Sequence, residues 1–192
     1  MAQNPSLRLV VLGDSLTAGY GLAAGASFPD RLQKALSAKG SNVKVENAGV
    51  SGDTSSGALS RLDWAVADGT HMVLVELGAN DALRGVAPEE TAKALDELIT
   101  RLKAKGAKVL IAGMVAPPNM GATYGAKFNA IYPDLAKKHE VALYPFFLEG
   151  VAALPELNQA DGIHPNEKGV DVIVENILPA VEALIASTQK AE

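Results

Sequence analysis

A serine near the start of the chain and a histidine near its end are the residues most suited to chemistry. Ser15 sits in Gly13-Asp14-Ser15-Leu16, and His164 sits in Asp161-Gly162-Ile163-His164-Pro165. A serine hydroxyl becomes a nucleophile only when a neighbouring base takes its proton. An imidazole titrates near neutral pH and suits that role. Asp161 precedes His164 by three residues, so one turn of chain can carry its carboxylate to Nδ1. There it would fix the tautomer and stabilise the imidazolium. Attack on an acyl carbonyl also needs donors for the developing oxyanion. The N–H groups of Ser15 and Gly52 and the side-chain amide of Asn80 are the candidates. Glycine at 52 suits a close approach of backbone to substrate. Each of these residues alone also fits a turn or a cap. It is their joint placement that points to acyl transfer.

That placement depends on the elements between them. Short apolar runs alternate with helical patterns along the chain. Leu9 to Leu12, Val43 to Val45, His71 to Leu77, Val109 to Ile111 and Val141 to Tyr144 read as five strands. Helical spacing appears over Phe28–Ala38, around Trp64, from Pro88 to Gly106, over Tyr124–His139 and over Asn166–Ile185. Pro133 is expected to kink or split its helix, and Pro179 interrupts the last one. The alternation predicts an α/β fold: a three-layer, flavodoxin-like sandwich with a five-stranded parallel sheet of order 2-1-3-4-5 and helices on both faces. Ligands in such sheets bind at the carboxyl ends of the strands. The segments holding Ser15, Gly52, Asn80 and His164 all follow strands, so one edge should gather them.

The whole-chain properties agree with an enzyme of one domain spanning residues 1–192. A formal net charge of −5 argues against nucleic acid as a partner. With no cysteine, thiol nucleophiles, disulfides and cysteine-ligated metals drop out. The three histidines are scattered and no H-E-x-x-H occurs, which speaks against zinc. His71 and His139 read as structural. No apolar run reaches the ~18 residues of a membrane span. Met1 to Pro5 show no apolar signal core, although Met1-Ala2-Gln3 would suit the remnant of a cleaved leader. No G-x-S-x-G elbow is present, against an α/β-hydrolase.

These segments resemble the blocks of the SGNH or GDSL hydrolase family. Gly13-Asp14-Ser15-Leu16 is similar to its first block, Ser51-Gly52-Asp53-Thr54 to its second, Gly78-Ala79-Asn80-Asp81 to its third and Asp161-Gly162-Ile163-His164-Pro165 to its fifth. The stretches Asn47–Thr54, Val75–Gly85, Ile131–Pro133 and Tyr144–Phe147 resemble the bacterial arylesterase, thioesterase and lysophospholipase branch. The resemblance implies Ser15, His164 and Asp161 as catalytic residues and Ser15, Gly52 and Asn80 as oxyanion donors. It implies acyl ester or thioester substrates and neither metal nor cofactor. It also implies a periplasmic or secreted enzyme if a leader was removed, and a cytoplasmic one otherwise. The segment Gly113–Gly125, with Pro117, resembles the family's substrate-side loop. Leu16 and Phe146 are expected beside the substrate, with Phe147, Leu148, Val151 and Leu154 as acyl-groove or core residues. Two other readings remain open: a carbohydrate or lysophospholipid esterase or acyltransferase of the same fold, and a flavin-binding protein whose Ser15–Gly19 loop would hold a phosphate.

Overall fold

The computed structural model of the chain describes residues 6–190. Met1 to Pro5, read above for a leader, lie outside the described residues. Five parallel strands form the sheet: β1 (Leu7–Gly13), β2 (Val43–Gly49), β3 (Met72–Glu76), β4 (Lys108–Ala112) and β5 (Ala142–Tyr144). Their order is β2-β1-β3-β4-β5, the order that the alternation of elements predicts. β1, β3 and β4 are apolar on nearly every residue because both of their faces are covered.

Two sets of helices do the covering. α2 (Phe28–Ala38) packs on α8 (Glu167–Gln189), while α6 (Pro88–Ala104) packs on both α3 (Ser55–Ser60) and α7 (Ala122–His139). Both sets reach β4. α6 follows its sequence signals: Pro88 opens it, Glu89 and Glu90 fill the first turn, and Arg101 and Lys103 the last. Asn166, read as the first residue of the last helix, is instead its N-cap, accepting the Gly169 N–H.

Three local readings change. The helix expected around Trp64 is two short pieces, α3 and α4 (Leu62–Ala65), broken at Arg61. Arg61 turns inward, and its guanidinium bonds Asp53 at 2.6 Å, the Ala48 carbonyl at 2.9 Å and the Gly13 carbonyl at 3.2 Å. Tying down the ends of β1 and β2 outweighs helix continuity there. Pro133 does not split α7, and Pro179, expected to interrupt the last helix, lies inside an unbroken α8. Burial of Phe128, Ile131, Tyr132 and Leu135 on the inner face of α7 offsets its missing backbone bond. Finally, two helices too short to show periodicity follow strand ends: α1 (Ser15–Ala18) after β1 and α5 (Ala79–Leu83) after β3. The Ser15–Gly19 segment considered for phosphate is therefore a helical turn closed by Gly19.

Candidate active site

The carboxyl edge of the sheet gathers the predicted residues. β1 runs through Gly13 into the buried Asp14, which caps α1 by accepting the Leu16 N–H at 2.9 Å. A Cβ on Gly13 would collide with Thr17 and Glu76, so glycine is required for this tight exit. Ser15 is thereby placed at the first position of α1, and among the described residues its N–H has no protein acceptor.

β2 leads into a turn over Val50–Asp53, closed by the Asp53 N–H on the Val50 carbonyl at 3.1 Å. Gly52 holds φ +84°, the left-handed value that the third residue of a type II turn requires. Its N–H, too, lacks a protein acceptor among the described residues. The Arg84 guanidinium donates to the Gly52 carbonyl at 2.7 Å and steadies the turn.

β3 leads through Leu77 and Gly78 into α5, which carries Asn80. The Asn80 amide nitrogen donates to Asp14 Oδ2 at 3.0 Å and to the Asp53 carbonyl at 2.9 Å. Both of its hydrogens are engaged, so an oxyanion would have to share one of them. Asp81 next to it is structural, accepting the Ser55 N–H and the Thr91 hydroxyl.

His164 arrives from the far end of the chain. A narrow loop before α8 is pinned by an antiparallel bridge between Asn158 and Pro165 and by the Gln159 N–H on the His164 carbonyl at 2.7 Å. His164 Nε2 lies 2.9 Å from Ser15 Oγ, and its Nδ1 lies 2.7 Å from Asp161 Oδ2. Asp161 Oδ1 accepts the N–H groups of Ile163 and His164 at 2.9 and 3.0 Å. These bonds, the His164 backbone N–H first, hold its carboxyl down to about 2. Asp161 is thus an anion wherever His164 works as a base, and it requires the proton of a neutral imidazole to sit on Nδ1. Nε2 is then left to accept from Ser15.

An apolar groove of about 490 Å³ adjoins these groups. Leu83, Pro117, Phe146, Leu148 and Ile163 line it, and it reaches Ala79 and Gly162 beside the oxyanion and histidine segments. Pro117 and Phe146 therefore line this groove. Leu16 does not: its side chain points into the core, because α1 buries its apolar residue beneath the nucleophile. Phe147 and Val151 are core as well, and Leu154 is exposed outside this groove.

Other residues at the site carried little sequence signal. The Tyr20 ring lies 4.6 Å from the His164 ring, and Gln159 bonds the Tyr20 carbonyl at 2.8 Å. Glu76, the last residue of β3, is fully buried beneath Asp14. Burial raises its carboxyl well above the ordinary range, and Asp14 raises it further. Burial also lifts Asp14, to about 6, against the lowering effect of the Leu16 and Asn80 bonds. A charged residue closing the apolar run Met72-Val73-Leu74-Val75 was the one available hint. His71 and His139 have structural partners, the Arg8 N–H at 3.0 Å and Asp96 at 2.6 Å. Among the described residues, no cluster of three or more His, Asp or Glu side chains is placed to hold a metal ion.

The model of the GDSL-like lipase/acylhydrolase family matches residues 11–172, a span that contains every group just described. The chain belongs to that family. It is similar to an arylesterase of Vibrio mimicus, with 42% identity over 175 residues, covering 91% of this chain and 88% of the relative. It is similar also to the Escherichia coli K12 protein named thioesterase 1/protease 1/lysophospholipase L1, with 41% identity, covering 92% and 84%. The crystal structure of TesA superimposes with a TM-score of 0.88 at 41% identity, covering 92% of this chain and 99% of that one. The sheet order and surrounding helices are those of this family of hydrolases.

Proposed function

We propose that the protein is a serine esterase that hydrolyses short- to medium-chain acyl esters, aryl esters and thioesters through an acyl-enzyme. The observation that carries this is the continuous Ser15–His164–Asp161 relay beside an apolar groove. Ser15 Oγ attacks the acyl carbonyl carbon while its proton passes to His164 Nε2. The Ser15 and Gly52 N–H groups receive the oxyanion. Asn80 joins them by sharing the hydrogen that it gives to the Asp53 carbonyl. As the tetrahedral intermediate collapses, the imidazolium returns its proton to the departing alkoxide or thiolate. A water activated by the same imidazole then releases the acid. Asp161 holds the imidazolium in place through both steps.

The groove supplies binding energy for the acyl chain. Each methylene removed from water contributes about 0.8 kcal/mol, or roughly fourfold in kcat/KM while room remains. The names of the arylesterase and thioesterase relatives support the substrate classes. Among the described residues, no helix is long and apolar enough to cross a membrane. The test is Ser15→Ala on p-nitrophenyl butyrate: the variant should keep the fold and lose hydrolysis. Near wild-type turnover in the purified variant would end the proposal.

A further inference from the structure

Beneath the nucleophile turn lies an acid that has no counter-ion among the described residues. Glu76 Oε2 accepts the Thr17 hydroxyl at 2.7 Å and the Asp14 N–H at a long 3.4 Å. Oε1 is buried without any partner, and among the described residues no cation pairs with the group. A carboxylate is strongly disfavoured in such a site, since its charge has no counter-ion and one of its two oxygens no partner. The second carboxyl, Asp14, is equally buried but better provided for. It accepts two N–H bonds, from Leu16 and Asn80, and feels His164. Two neighbouring anions would repel, so the better-solvated one ionises and the other keeps its proton.

We propose that Glu76 is a neutral acid at working pH, and that the Asp14 carboxylate it permits is the positioning group that keeps the Asn80 nitrogen turned to the oxyanion site. Asn80 Nδ2 is held between two acceptors, Asp14 Oδ2 and the Asp53 carbonyl. A protonated Asp14 would present a hydroxyl where an acceptor is needed. The amide then loses one of its two anchors, only the Asp53 carbonyl still holds its nitrogen, and the donor is no longer fixed toward the oxyanion. Protonation of Asp14 thus weakens catalysis without touching the Ser15–His164 bond.

The groups around the pair are few. Thr17 of α1 bonds Glu76, and His164 faces Asp14 from the loop before α8. Asp53, paired with Arg61, acts on Asp14 from the turn after β2. Tyr132 of α7 is a buried phenol that donates to the Leu77 carbonyl. Asp81 of α5 is occupied by Ser55 and Thr91. None of them gives Glu76 a positive neighbour.

The kinetic consequence rests on the proposed hydrolysis; the protonation state does not. The direct test is the infrared carboxyl stretch at about pH 7. Wild type and Ser15→Ala should both show a protonated carboxyl band, which Glu76→Gln should lack. A wild-type spectrum without the band overturns the proposal, even if the Gln variant does not fold. A band that survives in a folded Glu76→Gln overturns it equally. In kinetics, protonation of Asp14, whose pKa burial lifts to about 6, should steepen the fall of log kcat/KM on the acid side. Asp14→Asn should make that fall shallower and lower kcat, by at most the ~10²–10³ that one oxyanion donor is worth, with KM little changed. Glu76→Gln should leave the acid limb at its wild-type pH, one neutral group replacing another. A limb displaced to lower pH in that variant would mean that an anion had been removed, and an acid limb equally steep in wild type and Asp14→Asn would remove Asp14 from the mechanism. If Ser15→Ala retained activity, the hydrolytic reading would fail while the infrared result still decided Glu76.

Discussion

Gly52→Ala separates backbone strain from catalysis. At φ +84° an alanine is strained by about 1–2 kcal/mol relative to glycine. Space is not the obstacle, since the nearest atom to an added Cβ is Arg84 Nη2 at 3.4 Å. The strain is relieved by rotating the Ser51–Gly52 peptide, which carries the Gly52 N–H away from the oxyanion. Turnover should therefore fall by roughly 10²–10³, the worth of one preorganised donor. Gly40→Ala is the control. Gly40 has φ +73° and open space around its Cβ position, on a turn after α2. It should suffer similar strain, and in both variants Tm should drop by roughly 2–8 °C for a chain of this size. Only Gly52→Ala should lose activity. A folded Gly52→Ala with turnover within a few-fold of Gly40→Ala would show that this N–H does not serve the oxyanion.

Other substitutions follow from the same geometry. Asp161→Asn keeps an oxygen for the Ile163 and His164 N–H groups but offers an amide to Nδ1, so it should lower kcat by ~10²–10⁴ while circular dichroism stays unchanged. Ala152→Phe fills the groove. In a p-nitrophenyl ester series it should cut kcat/KM for octanoate far more than for acetate; equal losses would place the acyl chain elsewhere. Stability should also depend on pH through Glu76. Its folded-state pKa is raised, so the folded protein holds a proton that the unfolded chain releases above about pH 4.3. Urea denaturation should show wild type losing stability relative to Glu76→Gln as pH rises above that value, at up to about 1.4 kcal/mol per pH unit. A parallel pair of curves would contradict the buried neutral acid.

Much of this site is legible in the sequence because Ser15 and Asn80 closely follow apolar strands. Once Leu9–Leu12 and Val73–Val75 are read as parallel strands, Ser15 and Asn80 must share an edge. Asp161 and His164 needed only their three-residue spacing. Less legible were contacts made by side chains distant in sequence. Arg61 reads as an ordinary helix residue until its three bonds to Asp53, Ala48 and Gly13 are seen. Leu16 looks like a substrate wall beside the nucleophile, but the direction of a four-residue helix turns it to the core. Tyr20 reaches His164 across 144 residues of chain by way of Gln159, and neither neighbour announces it. Glu76 was visible as a charge in an apolar strand, yet its partner Asp14 belongs to a different strand end.

The central claim is that Ser15 is the nucleophile activated by His164. Labelling with an alkyl phosphonate ester, followed by mass spectrometry of the digested protein, addresses it most directly. One adduct should appear on the peptide containing Ser15, in step with loss of esterase activity. It should form far more slowly in His164→Ala and not at all in Ser15→Ala. Inactivation with the label on another residue, or full labelling of Ser15 with hydrolysis intact, would contradict the account.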